Sequence, residues 1–150
     1  MNPRPISAFV DGSSPPDYAS LLGGVGVVLR DAAGDLLTLS RPVSPRLPIH
    51  YLEALAVLTA LEVAEQLGVL WIIIHCDCSH AIAQLTEVCP PAPGLEDVNR
   101  RVQEAMRRFC WVSLVWISRE ENERAHGLAR VGTHMPWDVV WFRGQSEGAS

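Results

Sequence analysis

Lysine is missing from this chain of 150 residues; all twelve cationic side chains are Arg. Charge of either sign is sparse, at 19% of residues, and the balance is acidic, with a formal net charge of −5. A whole-chain basic field that would gather nucleic acid is therefore excluded. A local site is not excluded, because carboxylates gathered for chemistry also lower the pI. Arg suits bidentate phosphate contacts, but beside so much Ala, Gly and Pro its exclusive use reads as compositional bias. Long apolar runs are missing too. Nothing approaches about eighteen consecutive apolar residues, so no membrane span is expected. The N-terminus lacks a basic region followed by an apolar run, so no secretory signal is expected. Cys76, Cys78, Cys89 and Cys110 include one C-x-C pair, with no second Cys or His pair to complete a zinc set. Free thiols and a cytoplasmic location are the expectation.

What is present is a core. Apolar residues make up 48% of the chain, with five Trp, three Phe and two Tyr. That is too much for an extended disordered protein, and the length suits a single domain over residues 1–150. Residues 6–10, 24–29 and 36–39 are short runs of strand formers. The second and third are joined by Asp31-Ala32-Ala33-Gly34-Asp35, a hairpin turn. A Pro- and Ser-containing loop follows the first. From residue 50 to 67 the period becomes helical, with Leu52, Leu55, Ala56, Thr59 and Val63 on one stripe. Gly68 ends that helix. Residues 69–74 are continuously apolar, as for a strand buried on both faces. Helices at 79–87 and 95–109, a strand at 111–117 and a helix at 120–131 follow. The Trp-rich stretch 137–142 is expected to pack back on the body, and the last eight residues to fray. The order predicts an α/β fold: a five-stranded mixed sheet, three antiparallel strands then α-β crossovers, with helices on both faces.

Three carboxylates occupy element ends in this scheme. Asp11 stands at the end of the first strand, Asp77 at the end of the fourth, and Glu53 in the first turn of the first helix, off the core stripe. Each has an ordinary structural explanation: a turn, a helix cap, a residue facing the helix dipole. Together they point elsewhere. If strands one and four are neighbours, the three converge, and converging carboxylates repel unless a cation neutralises them. Hard oxygen ligands suit Mg²⁺ or Mn²⁺. Two such ions can serve phosphodiester cleavage.

The stretches AFVDGS at 8–13, GGVGVVL at 23–29, YLEAL at 51–55, CDCS at 76–79 and REENERAHGLAR at 119–130 together resemble the ribonuclease H family, type 1. The resemblance spans about residues 5–131, with 132–150 as a C-terminal extension. It implies the ribonuclease H-like fold and metal-dependent hydrolysis of the RNA strand of RNA–DNA hybrids, leaving 5′-phosphate and 3′-hydroxyl ends. By position, Asp11, Glu53 and Asp77 match the family's first three metal ligands. An RNA–DNA hybrid is then the expected partner, with no membrane and no obligate protein partner.

The chain departs from the family pattern in three places. The fourth carboxylate is replaced by His126, giving a tetrad Asp11, Glu53, Asp77, His126. A similar tetrad occurs in the slicing domain of Argonaute proteins. Neutral imidazole can ligate a divalent ion, and a nitrogen ligand shifts preference towards Mn²⁺. Trp116 stands where many members carry a His. The basic helical protrusion is absent, for which Arg100, Arg101, Arg107 and Arg108 could partly substitute, unless they line a solvated face with Glu96, Asp97 and Glu104. Gly12, Ser13, Ser14, Gly23, Gly24 and His50 are the expected contacts to sugar and phosphate. The main rival is a catalytically weak or inactive hybrid-binding domain of the same fold. A proofreading-type exonuclease lacks its Asp-x-Glu here, and a kinase-like ATPase its further glycine loops. A docking role for Trp137, Trp141 and Phe142 is a rival of another kind.

Overall fold

The structure is a computed structural model and describes residues 4–15, 22–45 and 47–144. Part of the expected loop after the first strand, and residues 145–150 of the expected frayed tail, lie outside the described residues. The elements run β1 (Ile6–Ser13), β2 (Gly23–Asp31), β3 (Gly34–Val43), α1 (Ile49–Gln66), β4 (Trp71–Cys76), α2 (Ser79–Leu85), α3 (Glu96–Met106), β5 (Trp111–Trp116), a 3₁₀ turn (Glu120–Asn122), α4 (Glu123–Gly132) and β6 (Val139–Phe142). They form one six-stranded sheet in the order β5-β4-β1-β2-β3-β6. β1, β2 and β3 are antiparallel, and β4 and β5 join β1's free side in parallel. The α/β class, the meander and the crossovers are as expected.

The strand count is corrected from five to six. Residues 139–142 do return to the body, as an edge strand antiparallel to β3. Four consecutive apolar residues show no alternation, so the sequence carried no period from which to read a strand. Two long-range arginine forks hold this edge: Arg41 to Asp138, and Arg143 to Asp31.

The two faces are packed differently. Ala8, Val10, Val25, Val27, Leu29, Ile72 and Ile74 meet Ala56, Val57, Ala60 and Leu61 of α1 in the main core. The outer side of α1 is covered as well, where Ala54 and Tyr51 pack on Leu95 and Val98. The expected single stripe is therefore too narrow, and α1 is buried on almost every side. Across the sheet, α4 lies on β1, β2 and β3. It approaches so closely that a Cβ on Gly24 would fall 2.0 Å from the Ala129 carbonyl oxygen, and one on Gly26 2.2 Å from that of Ala125. α4 leaves β4 half covered. Ile72, Ile74 and Cys76 are buried while Trp71, Ile73 and His75 are only partly so, and His75 stacks on Phe9 at 4.5 Å. The expectation of a β4 buried on both faces is corrected accordingly. Among the described residues no helix is long and apolar enough to cross a membrane.

Candidate active site

Asp11, Glu53 and Asp77 converge. Each offers a carboxylate oxygen, and these oxygens lie within 4.8 Å of one another. Asp11 sits inside β1, paired with Gly26 of β2, so it is not a turn residue. The parallel pairing of β1 with β4 ends at Val10 and Cys76, and Asp77 is the next residue. Glu53 is in the second turn of α1, one turn later than expected. α1 comes close because Gly12 has no side chain; a Cβ there would meet the Leu52 carbonyl carbon at 2.7 Å. Asp77 does not cap α2, whose N-cap is Cys78 with no side-chain cap bond.

The electrostatics of this group are unfavourable as they stand. Asp11 is 1% exposed and Glu53 6%. Burial, and then the charge of Asp11, push the Glu53 carboxyl up to about 10. Burial also raises Asp11, as does the charge of Asp77, against the lowering effect of hydrogen bonds to Glu53 and His126. Glu53 thus holds a proton at neutral pH and shares it with Asp11. Asp77 Oδ2 is buried and has no hydrogen-bond partner. An orphaned carboxylate oxygen beside two crowded carboxyls is the donor set a hard divalent cation fits. A cation there would satisfy Asp77 and displace the proton on Glu53.

Neighbouring groups hold these side chains. The Cys76 thiol donates weakly to Glu53 Oε2 at 3.8 Å, and burial pushes that thiol above its usual range. The Trp116 indole N–H donates to the Asp77 carbonyl at 3.2 Å. Asn122, buried at the start of α4, donates through Nδ2 to the Val10 carbonyl at 2.9 Å. That bond ties α4 to β1 one residue before Asp11. His126, one turn into α4, puts Nδ1 2.8 Å from Asp11 Oδ2. It borders the carboxylate group through Asp11 alone.

The reverse transcriptase-like family matches residues 10–132. The chain belongs to that family. Its fold is shared by solved ribonucleases H. RNase H1 from the halophilic archaeon Halobacterium salinarum NRC-1 is 26% identical, with a TM-score of 0.80 over 87% of this chain and 98% of that one. The N-terminal RNase H domain of a Mycobacterium tuberculosis protein is 20% identical, with a TM-score of 0.77 over 86% and 93%. LC11-RNase H1, solved in complex with an RNA/DNA hybrid, is 22% identical, with a TM-score of 0.76 over 86% and 96%. No match is found among curated proteins. The resemblance to ribonuclease H noted in the sequence is therefore upheld.

The expected substrate contacts of this family member are scattered. Gly12, Ser13 and Ser14 line a cleft of about 590 Å³ that His126 also borders. A Cβ on Gly23 would face the Leu52 side chain, and one on Gly24 the backbone of α4, so both glycines are explained by packing. His50 is exposed and meets His80 edge-on at 6.1 Å. On α3, Arg100 pairs with Asp97 and Glu104, while Arg108 at its end pairs with Glu65. Only Arg101 and Arg107 of that set are left without an ion pair among the described residues. Arg119, Arg130 and His134, not singled out from the sequence, line the same cleft as Ser13 and His126. The spacing of four between His126 and Arg130 on a helix is the signal that could have found the second of them.

Proposed function

We propose that the chain is a ribonuclease H: a metal-dependent endoribonuclease that hydrolyses the RNA strand of RNA–DNA hybrids, leaving 5′-phosphate and 3′-hydroxyl ends. The observation that carries this reading is the convergence of buried Asp11 and Glu53 with half-buried Asp77, one of whose oxygens is buried and orphaned. Family membership supports it, as does the hybrid bound in the LC11-RNase H1 structure.

Asp11, Glu53 and Asp77 would hold Mg²⁺ or Mn²⁺, with His126 as a fourth ligand on the Asp11 side. Bound as a pair, such ions supply an activated water and neutralise charge on the leaving oxygen. The chain's own part is to hold three carboxylates at fixed separation on three rigid elements. β1 fixes Asp11 through backbone pairing, Asp77 follows directly on the last paired residue of β4, and α1 fixes Glu53 through the core. The Asn122 bond to Val10 sets α4, and so His126, against Asp11. Ser13 and Ser14, just past Asp11 on the chain, stand where hydroxyls and backbone groups could sense sugar and phosphate.

The test is cleavage of a labelled RNA–DNA hybrid in Mg²⁺ and separately in Mn²⁺, by wild type, Asp11→Asn and His126→Asp. Cleavage by wild type that Asp11→Asn abolishes is the expected result. Cleavage by His126→Asp alone would mean a decayed site on a hybrid-binding fold. Silence from every folded variant would end the nuclease reading.

A further inference from the structure

The cleft beside the carboxylates carries a charge pattern that the metal site does not explain. Arg30, Arg41, Arg100, Arg108, Arg124 and Arg143 each pair with a carboxylate. Arg119 and Arg130, like Arg4, Arg101 and Arg107, do not pair with any among the described residues, but only these two share a cleft. Both line the 590 Å³ cleft, with Ser13, Ser14, His126 and His134. The volume lies within the usual range of ligand sites, roughly 300–1,000 Å³. Arg119 follows β5 and Arg130 lies on α4, so two elements aim cations at one space.

Two guanidiniums without a protein partner, beside a serine hydroxyl, form a phosphate-binding set. His126 lines the cleft and contacts Asp11, and Gly12 of the cleft wall is the next residue after Asp11, so the cleft adjoins the carboxylate group. A phosphate in it would belong to the linkage next to the one held at the carboxylates, on the same strand. We propose that Arg119 and Arg130 bind the RNA-strand phosphate adjacent to the scissile one. This contact adds to the cations of α3, where Arg100 and Arg108 are held by carboxylates and Arg101 and the following Arg107 are unpaired among the described residues. The proposal rests on the nuclease reading above and deepens it.

The experiment measures binding of a short labelled RNA–DNA hybrid in EDTA, across a series of salt concentrations, for wild type, Arg119→Ala, Arg130→Ala and the double variant. Both arginines are exposed, and circular dichroism checks that each variant is folded. Each single change is expected to raise Kd about tenfold, and the double variant to lower the salt slope by about one phosphate contact. In Mg²⁺ or Mn²⁺, KM should rise with kcat little changed. A neutral methylphosphonate is then placed at successive RNA-strand linkages. One position should weaken wild type as the double variant does, and add nothing to that variant. Unchanged Kd and slope in the double variant would overturn the proposal, as would a methylphosphonate effect mapping to the DNA strand instead. If wild type binds as expected yet cleaves in neither metal, the nuclease reading fails while the phosphate cleft stands.

Discussion

The two faces of the sheet hold the same site by opposite means. On the α1 face, large aliphatic side chains fill the space, and Glu53 is carried to its place inside a dry core. On the α4 face there is little side chain to interpose. Gly24 and Gly26 let the helix backbone rest almost on the strand, and this closeness brings His126 to 2.8 Å from Asp11. Burial creates the electrostatic problem on the first face, by forcing Glu53 towards neutrality. Close approach supplies nitrogen and cation on the second. Away from Gly12, where α1 also touches the strand backbone, the carboxylates should therefore tolerate modest repacking of the α1 face, while the whole seat of α4 depends on glycine.

Substitutions on each face separate the two arrangements. The largest effect is expected from Gly24→Ala with Gly26→Ala, since two Cβ atoms would strike helix carbonyls. A loss of at least about 5 kcal/mol, with loss of cleavage, should show in chemical denaturation and hybrid assays. Leu61→Ala leaves a cavity under the α1 face and should cost about 2–5 kcal/mol. Activity per folded molecule should survive, which a denaturation curve and an assay at low temperature would check together.

The third prediction concerns Glu53, whose carboxyl is raised from 4.5 to about 10. Between those values the folded state keeps a proton that the unfolded state has lost. Glu53's contribution to metal-free stability is therefore fully present below pH 4.5 and is lost as pH rises towards 10. Thermal melts in EDTA from pH 5 to 9 should show that decline, and Glu53→Gln should flatten it. Asn122→Ala removes the tie from α4 to Val10 and should cost about 1–2 kcal/mol, with a further loss of kcat as His126 loses its position. The smallest effect belongs to the far edge. Asp138→Ala opens an exposed pair with Arg41 and should cost less than about 1 kcal/mol with no change in cleavage.

Much of this was legible in the chain. Strand formers around the Asp31–Asp35 turn declare the meander, and a period change at residue 50 declares α1. The three carboxylates stood out because they end separate elements. What stayed hidden was long-range. Nothing local marks β6, whose edge is held by arginines pairing with Asp31 and Asp138. The ion pairing of Arg100 could be read from Asp97 and Glu104 at helical spacing, but that of Arg108 depends on Glu65, 43 residues away. The cleft of Arg119 and Arg130 exists only once α4 has settled on Gly24 and Gly26. Gly24 was expected to touch substrate, and sequence alone does not say that the Ala129 carbonyl lies over it.

On the proposed reading, the carboxylate group exchanges a proton for a divalent ion. Calorimetric titration of the metal-free protein with Mn²⁺ near pH 7, in two buffers of different protonation enthalpy, tests it directly. Binding with release of close to one proton per protein is expected, with release abolished in Glu53→Gln and binding weaker in Asp77→Asn. Absence of binding by folded wild type, or binding with no proton released, would contradict it.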